Sequence, residues 1–546
     1  MYDQNIYVVG HTQPDTDCVA SAIAYSAYLN KKGRDTRPAV AGTMNPETRY
    51  LLRKFGIEEP VFLDDARVRL DQIELDSPVA IREDTSLLEA VRAMDEHGRE
   101  ALAITDENWK IRGWVSRSDI SRLSLTDTLT SASLLKDTPA SFFARAVNGV
   151  VVYDDPLMEL NGQVSIVTAA TKKSLRHYEV KNRIVIVGNE ETVQEQLIEK
   201  GAGLLIVVWA RKIDSDVLEA ARAHHCPVIL SGFGATNTSR YIFLAPPVSM
   251  IMETNVTSFY GTEFADDALK KMSRTRYRTF PVVDAGGRLT GYATRYHLMN
   301  YKNRRLILVD HNEFSQAIPN VERAEILEVI DHHRIRDFST PGPISLRNET
   351  VGATTTIVAS IFRENGVTIT PALAGLMLGG ILSATLKLQT SVTTERDRIT
   401  CNILAALADL DLEEFAREIF SVSWDLEGKS AAEMLDLYAR YFDFGEYRVR
   451  LARIRIPDRS FIKEDPESIQ KALEEYTKNQ KLDFCALIFA SIMENGTIYY
   501  LAGEKAEWAL EILPVKDVND HSMISGMGAL RMQTIPAMQE IFMRNG

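Results

Sequence analysis

The 546-residue chain is short of cysteine, with only Cys18, Cys226, Cys401 and Cys485, far apart and never in C-x-x-C spacing. That argues against a disulfide-stapled secreted scaffold and a dithiol redox motif, and suggests reduced thiols in a cytoplasmic protein. No apolar run approaches the ~20 residues of a membrane span, and no signal-peptide pattern precedes the first apolar strand, so neither membrane nor export is expected. Positive charge is also in deficit. Sixty-two Lys and Arg against 75 Asp and Glu leave a net charge of −13, which argues against nucleic acid as a partner but leaves room for a basic pocket holding a small anion. What remains is an ordinary globular composition, long enough for several domains at roughly 100–200 residues each.

Against these absences stand three clusters of acidic and imidazole side chains: Gly10-His-Thr-Gln-Pro-Asp-Thr-Asp17, Leu308-Val-Asp-His-Asn-Glu313 and Val329-Ile-Asp-His-His-Arg334. Each ends an apolar run, respectively Ile6-Tyr-Val-Val, Leu306-Ile-Leu-Val and Ile326-Leu-Glu-Val-Ile. Such runs predict buried parallel strands. Polar residues at strand ends sit over the crevice where open α/β sheets bind ligands. Taken singly, Asp17 before Cys18-Val-Ala-Ser is a helix cap and a strand-end histidine is a satisfied polar group. Three clusters on three strands of one sheet favour a divalent transition-metal site. By contrast, His224-His225-Cys226 is read as the end of a surface helix before the strand Pro227-Val-Ile-Leu.

The long gap between the first and second clusters predicts an insertion into one domain, and the insertion contains a repeat. One copy runs from Pro78-Val to Asp119-Ile, the other from Pro247-Val to His297-Leu. Each is expected to begin with a short strand, pass through an amphipathic helix and a strand ending in Asp, and finish on Gly113-Trp-Val-Ser-Arg-Ser-Asp or Gly291-Tyr-Ala-Thr-Arg-Tyr-His. Between the copies, Arg183-Ile-Val-Ile-Val-Gly, Gly203-Leu-Leu-Ile-Val-Val and Val228-Ile-Leu predict a further α/β unit. After the third cluster, Val351-Gly-Ala-Thr opens a helix and Pro371 to Leu386 predicts a buried one. Ser421 to Lys429 is the candidate hinge to a last α/β domain. In that domain the alternating Arg448, Arg450, Arg453 and Arg455 slip register once and are read mostly as a solvated strand face.

The repeat resembles the CBS motif and the unit between its copies resembles a DRTGG domain. Gly-His-x-x-Pro-Asp-x-Asp, Val-Asp-His-Asn-Glu and Asp-His-His-Arg, followed by Val351-Gly-Ala-Thr, resemble family II inorganic pyrophosphatases of the DHH superfamily, in the subgroup with an inserted CBS pair. The resemblance implies a multidomain α/β fold. A DHH parallel-sheet domain (1–65 and 305–423) would be split by CBS motif 1 (66–135), a DRTGG-like unit (136–246) and CBS motif 2 (247–304). A C-terminal DHH-associated substrate-binding domain (430–546) would follow. It further implies a manganese or cobalt site in which His11 and Asp15 hold one ion, Asp17 and His332 the other, and Asp310 bridges. Asp331 would orient a neighbouring ligand, His333 would face phosphate, and Mg²⁺ would accompany the substrate. Mixed imidazole and carboxylate donors suit manganese or cobalt, and a metal pair meets the demands of phosphoanhydride hydrolysis.

The chain departs from the family pattern in ways that bear on rate. Leu382-Ser-Ala-Thr385 stands where the family has Leu-Ser-Asp-Thr, so Ala384 supplies no ligand. Arg440 stands at the electrophile-binding lysine. Ala529-Leu-Arg-Met-Gln533 keeps only Arg531 of a cationic motif, with Leu530 and Met532 beside it. Arginine clamps phosphate but is not equivalent to lysine at a tight site. Two readings stay open: a nucleotide-regulated pyrophosphatase of attenuated rate, and a pyrophosphatase-like adenine-nucleotide sensor without turnover. For the nucleotide, Ser116 with Asp119 and Thr294 with His297 place hydroxyl and ribose-binding groups at helix N-termini. Arg276 and Tyr277 add charge and stacking. A homodimer or higher homo-oligomer is expected from the CBS resemblance.

Overall fold

The computed structural model describes residues 6–125, 128–168, 174–275, 277–336, 339–422, 429–444, 447–513, 515–525 and 535–545. The chain divides into two compact units, Val68–Lys302 and Asp3–Arg67 with Asn303–Gly546. Among the described residues, no helix is long and apolar enough to cross a membrane.

The second unit is built on a six-stranded, all-parallel sheet in the order Ser345–Asn348, Glu325–Asp331, Arg305–Val309, Ile6–Val9, Thr36–Val40, Val61–Phe62. The central strands Ile6–Val9 and Arg305–Val309 are apolar and buried because helices cover the sheet, while the edge strands Val61–Phe62 and Ser345–Asn348 are largely exposed. From Ile6–Val9 the chain winds outward to Thr36–Val40 and Val61–Phe62, then returns on the opposite side at Arg305–Val309. The order therefore reverses between Ile6–Val9 and Arg305–Val309, which is the switch point where such sheets open a ligand crevice. Register is tight there. Val9 pairs with Leu308 and Leu308 with Val329, so all three strands finish on one level. The insertion leaves and rejoins at neighbouring points, since Arg304 Nη2 donates to Arg67 O (3.4 Å) and Pro319 O accepts from Ala66 N (2.9 Å).

Three helices pack over this crevice. Thr16–Lys31 follows the first cluster, capped by Asp15, whose carboxylate accepts from Cys18 N at 3.0 Å. Thr354–Glu364 starts on a run of three threonines. Pro371–Thr385 is buried almost throughout, and Gly380 lets it pass directly behind the crevice. A Cβ at Gly380 would lie 2.8 Å from Thr355 Oγ1 and 3.4 Å from Asp17 Cα. The helix ends in a left-handed turn of three non-glycine residues, Leu386, Lys387 and Leu388 (φ 47°, 57° and 64°). Beyond it, Gln389 Nε2 donates to Ile492 O at 2.8 Å. The C-terminal part carries a mixed five-stranded sheet, Ala439–Phe444, Tyr447–Ile456, Phe484–Ser491, Gly496–Ala502 and Ile524–Ser525.

The first unit holds two three-stranded sheets and a five-stranded one. The repeat copies supply Ala80–Ile81, Ala101–Thr105 and Ile111–Ser116, and Phe259–Tyr260, Thr279–Val283 and Leu289–Thr294. One expectation is corrected here. Pro247-Val does not begin a strand of its own copy. Val248–Met250 is a single 3₁₀ turn, and Val248 is buried in the core of the first copy with Ile81, Leu87 and Leu102. Conversely, Val68, Leu70 and Ile73 are buried in the core of the second copy with Phe259 and Phe280. The leaders are exchanged: Asp76 bridges to Tyr292 and Glu253 to Trp114. Each short sheet has an apolar edge to cover, and the other copy's leader covers it. The five-stranded sheet between them runs Val150–Tyr153, Val228–Leu230, Leu204–Val207, Ile184–Val187, Val164–Val167, with the first strand antiparallel.

Candidate metal centre

The switch point brings the three clusters together. Val9, Leu308 and Val329 stand on one level near the ends of their strands, so the residues that follow in each chain segment meet above the sheet. Asp310 is central. Its backbone takes a left-handed φ of 63° at the strand end, a conformation that Asp tolerates better than most residues and that gathers at functional sites. Its Oδ2 lies 3.4 Å from His11 Nε2 and its Oδ1 3.5 Å from His332 Nε2. Thr354 Oγ1 donates to the same Oδ1 at 2.7 Å. Donor atoms of Asp310, His332 and His333 lie within 4.8 Å of one another, as do those of His11, Cys18 and Asp310.

The remaining acids stand around this centre. Asp15 Oδ2 is 3.9 Å from His11 Nε2. Asp17 is buried and receives the N-terminus of the helix Thr354–Glu364. Its Oδ2 accepts from Thr354 N (2.7 Å), and its Oδ1 from Thr355 N (2.9 Å) and the Thr355 hydroxyl. Asp331 turns away from Asp310 and toward structure, accepting from the Asn312 amide, from His332 N (2.7 Å) and from His333 Nδ1 (2.8 Å). His332 Nδ1 faces Val351 O at 2.9 Å. A carbonyl only accepts, so Nδ1 carries a proton, and Nε2 is the ring nitrogen turned toward Asp310.

The protonation pattern suits a cation. Burial, then the negative charges of Asp310 and Asp15, push Asp17 well above the usual carboxylate range. Asp15 is raised for the same reasons, burial first and Asp310 next. Burial alone would raise Asp310 too, but the hydrogen bond from His11 and the charges of His332, His11 and His333 hold it below its ordinary value. Three carboxylates that oppose one another's ionisation, interleaved with imidazole nitrogens, form a donor set that a divalent transition metal satisfies. Cys18 does not belong to it. Burial, then Asp310, keeps its thiol protonated, and it fills the space left by Gly10, where a Cβ would sit 2.0 Å from Cys18 Sγ. His333 is half-exposed, and its bond to Asp331 raises its pKa to about 9. His311 is fully buried against Val309 O, and desolvation lowers it to about 4, so it stays neutral.

Sequence reasoning missed the threonines. Thr354 and Thr355 anchor Asp310 and Asp17, and Thr356 Oγ1 donates to Asp397 Oδ1 at 2.6 Å, an acid that also accepts from Gly352 N at 2.8 Å. The signal was present as three hydroxyls at a helix start. Ala384 lies one turn beyond Gly380 on the same helix and packs partly buried against the apolar core. Arg440 opens the first strand of the C-terminal sheet and is exposed. Arg531, Leu530 and Met532 lie outside the described residues, as do Arg276 and most of the expected hinge, since the helix Leu412–Val422 ends the described stretch.

The expected nucleotide-binding residues engage local partners. Ser116 pairs with Asp119 across a helix start, Asp119 Oδ1 accepting from Arg122 Nη2 at 2.7 Å. Thr294 and His297 form a capping box, with His297 Nδ1 3.1 Å from Thr294 N. Tyr277 donates to Glu253 Oε2 at 3.0 Å and lines a groove with Trp114, Thr257 and Phe280. His225 is 3.0 Å from Asp155 and Cys226 is buried beside it, so this pair is held within its own unit.

The model of the DHH family, N-terminal domain, matches residues 5–381, and that of the DHHA2 domain matches 417–541. The cobalt-dependent inorganic pyrophosphatase of Clostridium perfringens is 30% identical over 98% of this chain and 98% of its own length. A probable manganese-dependent inorganic pyrophosphatase of Thermotoga maritima is 32% identical over 92% of both chains. The crystal structure of the CBS and DRTGG domains of the Clostridium perfringens pyrophosphatase regulatory region, complexed with its activator diadenosine tetraphosphate, matches at 22% identity over 42% of this chain and 100% of that one, with a TM-score of 0.37. The chain belongs to the DHH family and, within it, to the metal-dependent inorganic pyrophosphatases.

Proposed function

We propose that this protein hydrolyses inorganic pyrophosphate to two phosphates with a divalent transition metal, manganese or cobalt, under control of adenine nucleotides held by the insertion. The observation that carries the reading is the Asp310 carboxylate set between His11 Nε2 and His332 Nε2 at 3.4 and 3.5 Å, at the switch point of a parallel sheet. His11 and Asp15 would hold one ion and Asp17 and His332 the other, with Asp310 placed to serve both. Such ions supply positive charge to the phosphates and acidify the attacking water.

The chain's own groups do the rest. Val351 O fixes the His332 ring so that Nε2 faces the site. Asp331 keeps His333 protonated through neutral pH, so His333 Nε2–H is a charged donor for a phosphate oxygen. Arg440 adds a guanidinium from the C-terminal domain, joined by Arg531. The threonine hydroxyls hold Asp310 and Asp17 without competing charge. In the insertion, the groove holding Tyr277 and the two helix starts at Ser116 and Thr294 take the nucleotide. The chain acts in the cytoplasm, with its four cysteines buried and unpaired, and as a homodimer or higher homo-oligomer.

Ala384 favours a second reading, a nucleotide sensor without turnover, because the helix whose Gly380 passes behind Asp17 carries a methyl group at the position where the family pattern has a carboxylate. One experiment separates the two: phosphate release from pyrophosphate by the manganese-loaded protein, with and without adenosine mono-, di- and triphosphate. Turnover modulated by nucleotide supports the enzyme. Nucleotide binding by calorimetry with no phosphate release supports the sensor.

A further inference from the structure

The arginines of the strand Tyr447–Ile456 do not form one solvated face: Arg448 and Arg455 are exposed, whereas Arg450 and Arg453 are half-buried. The register slip divides the four residues between opposite faces. Residues 452, 454 and 456 pack into one core with Leu473 and Tyr476, and Arg448 and Arg450 share their side of the strand. Arg450 is spoken for: its guanidinium lies 4.5 Å from the Tyr441 ring and 5.3 Å from that of Tyr476, and it bonds the Tyr476 hydroxyl.

Arg453 and Arg455 continue the other face, that of Val449 and Leu451, which forms a core with Ile488, Tyr499 and Phe542. Arg440 pairs in register with Leu451 and so stands on this face too. Beside Arg455 the sheet offers Ala490 and then Thr497, small side chains that leave the guanidinium uncovered. This end of the sheet is the one that abuts the metal-side domain. Ile492, two residues past Ala490, is buried in the same core as Ile23 and Ile381.

Neither arginine has a carboxylate within ion-pair distance among the described residues, whereas Arg34, Arg347 and Arg396 all do. Arg453 is half-buried with its Nε buried and unbonded. Arg455 faces solvent, yet the protein walls around it lower its pKa by desolvation, and the acid that acts on it is Glu47. Glu47 Oε1 accepts from Thr16 Oγ1, and Thr16 sits between Asp15 and Asp17. Desolvation lowers Arg453 likewise. A half-buried cation without a counter-ion, as at Arg453, is unfavourable unless an anion completes it, and Arg455 on the same face leaves its guanidinium open to that anion.

We propose that Arg453 and Arg455 form an anion-holding wall of the C-terminal domain that grips the phosphate groups of the inorganic diphosphate across from the Asp310 centre. The proposal rests on the pyrophosphatase reading and deepens it, adding two cations on a chain whose C-terminal cationic motif has kept only one. Guanidinium groups clamp phosphate bidentately, and two on one strand face span two phosphoryl groups.

The test is calorimetric titration of the manganese-loaded full chain with methylenediphosphonate, which resists hydrolysis, and with inorganic phosphate. R455Q and R453Q are each expected to weaken diphosphonate binding about tenfold, and the double variant more than either, with manganese content unchanged. R448Q, on the opposite face, is the control and should bind as the parent does. Diphosphonate affinity equal to the parent's in R455Q and the double variant overturns the proposal. If R453Q does not fold, R455Q, whose side chain faces solvent, decides alone. A parent that binds diphosphonate through these arginines but releases no phosphate from pyrophosphate sinks the hydrolytic reading and keeps the wall. A parent that turns over, with affinity indifferent to both arginines, does the reverse.

Discussion

The two walls of the catalytic unit are built on opposite logic. On the acidic side, carboxylates and imidazoles stand at the ends of parallel strands, and oxygens of Asp17, Asp310 and Asp331 are held by a backbone N–H, a threonine and an asparagine. On the C-terminal side, arginines stand on the face of a mixed sheet, and two of them have no carboxylate within ion-pair distance among the described residues. The first wall is completed by its own chain except for cations, the second except for an anion. Strand ends at a switch point converge by topology, so the acidic wall is fixed before any ligand arrives. A strand face has no such convergence, and its arginines gain their partner from the substrate.

The sharpest way to break the comparison is at its acidic centre. Asp310→Asn removes the charge that His11 and His332 share, and phosphate release should fall on the order of a thousandfold with loss of bound manganese. Metal analysis alongside the rate checks it. A full metal complement with unchanged turnover would show that Asp310 is not the bridge. Next in size is Ala384→Asp, which puts a carboxylate on the helix whose Gly380 passes Asp17. The manganese concentration for half-maximal activity should drop by about tenfold or more, with turnover rising. Tighter metal with no turnover would put the defect on the cationic wall.

A subtler change tests His333. Its pKa is raised to about 9 by Asp331, so its protonated form persists through neutrality and is lost as pH rises through about 9. The stability this pair contributes runs the same way: fully present below the ordinary histidine value near 6.5 and lost as pH climbs past the raised one. Asp331→Asn should therefore pull the alkaline limb of the pH–rate profile downward, costing activity at pH 8 more than at pH 6. An unmoved limb would assign that limb to another group. The smallest effect is expected at Thr356→Val. It loses one buried hydrogen bond to Asp397 and should cost about 1–3 kcal/mol in denaturant unfolding, with metal affinity intact.

The acidic wall was legible in the sequence because its chemistry is local. Each cluster directly follows an apolar strand, so Val9, Val309 and Ile330 point to a common edge without knowledge of the fold. The threonines were less so. Thr355 and Asp17 are separated by 338 residues, and only the packing of two helix N-termini shows that a capping hydroxyl serves a distant carboxylate. The arginines were legible only in part, Arg448 and Arg455 being exposed as expected and Arg450 and Arg453 half-buried, for a related reason. Alternation alone marks a strand, but it does not say which face is covered. The 3₁₀ turn at Val248 was taken for a strand because two apolar residues after a proline look alike in either setting, and its true partner is the other repeat copy.

That exchange of leaders has a consequence for how the insertion comes into being. Val68, Leu70 and Ile73 are synthesised first but bury into a copy finished more than two hundred residues later, while the second leader goes back to fill the first copy. Neither half owns a complete interior, so neither is a stable foldon on its own, and their contacts are of high sequence separation. The pair should fold late and melt as one cooperative step. Deleting either leader should unravel the distant copy before the near one. Across generations the same interlock makes the duplication hard to undo, because losing one copy strands the other with an open core.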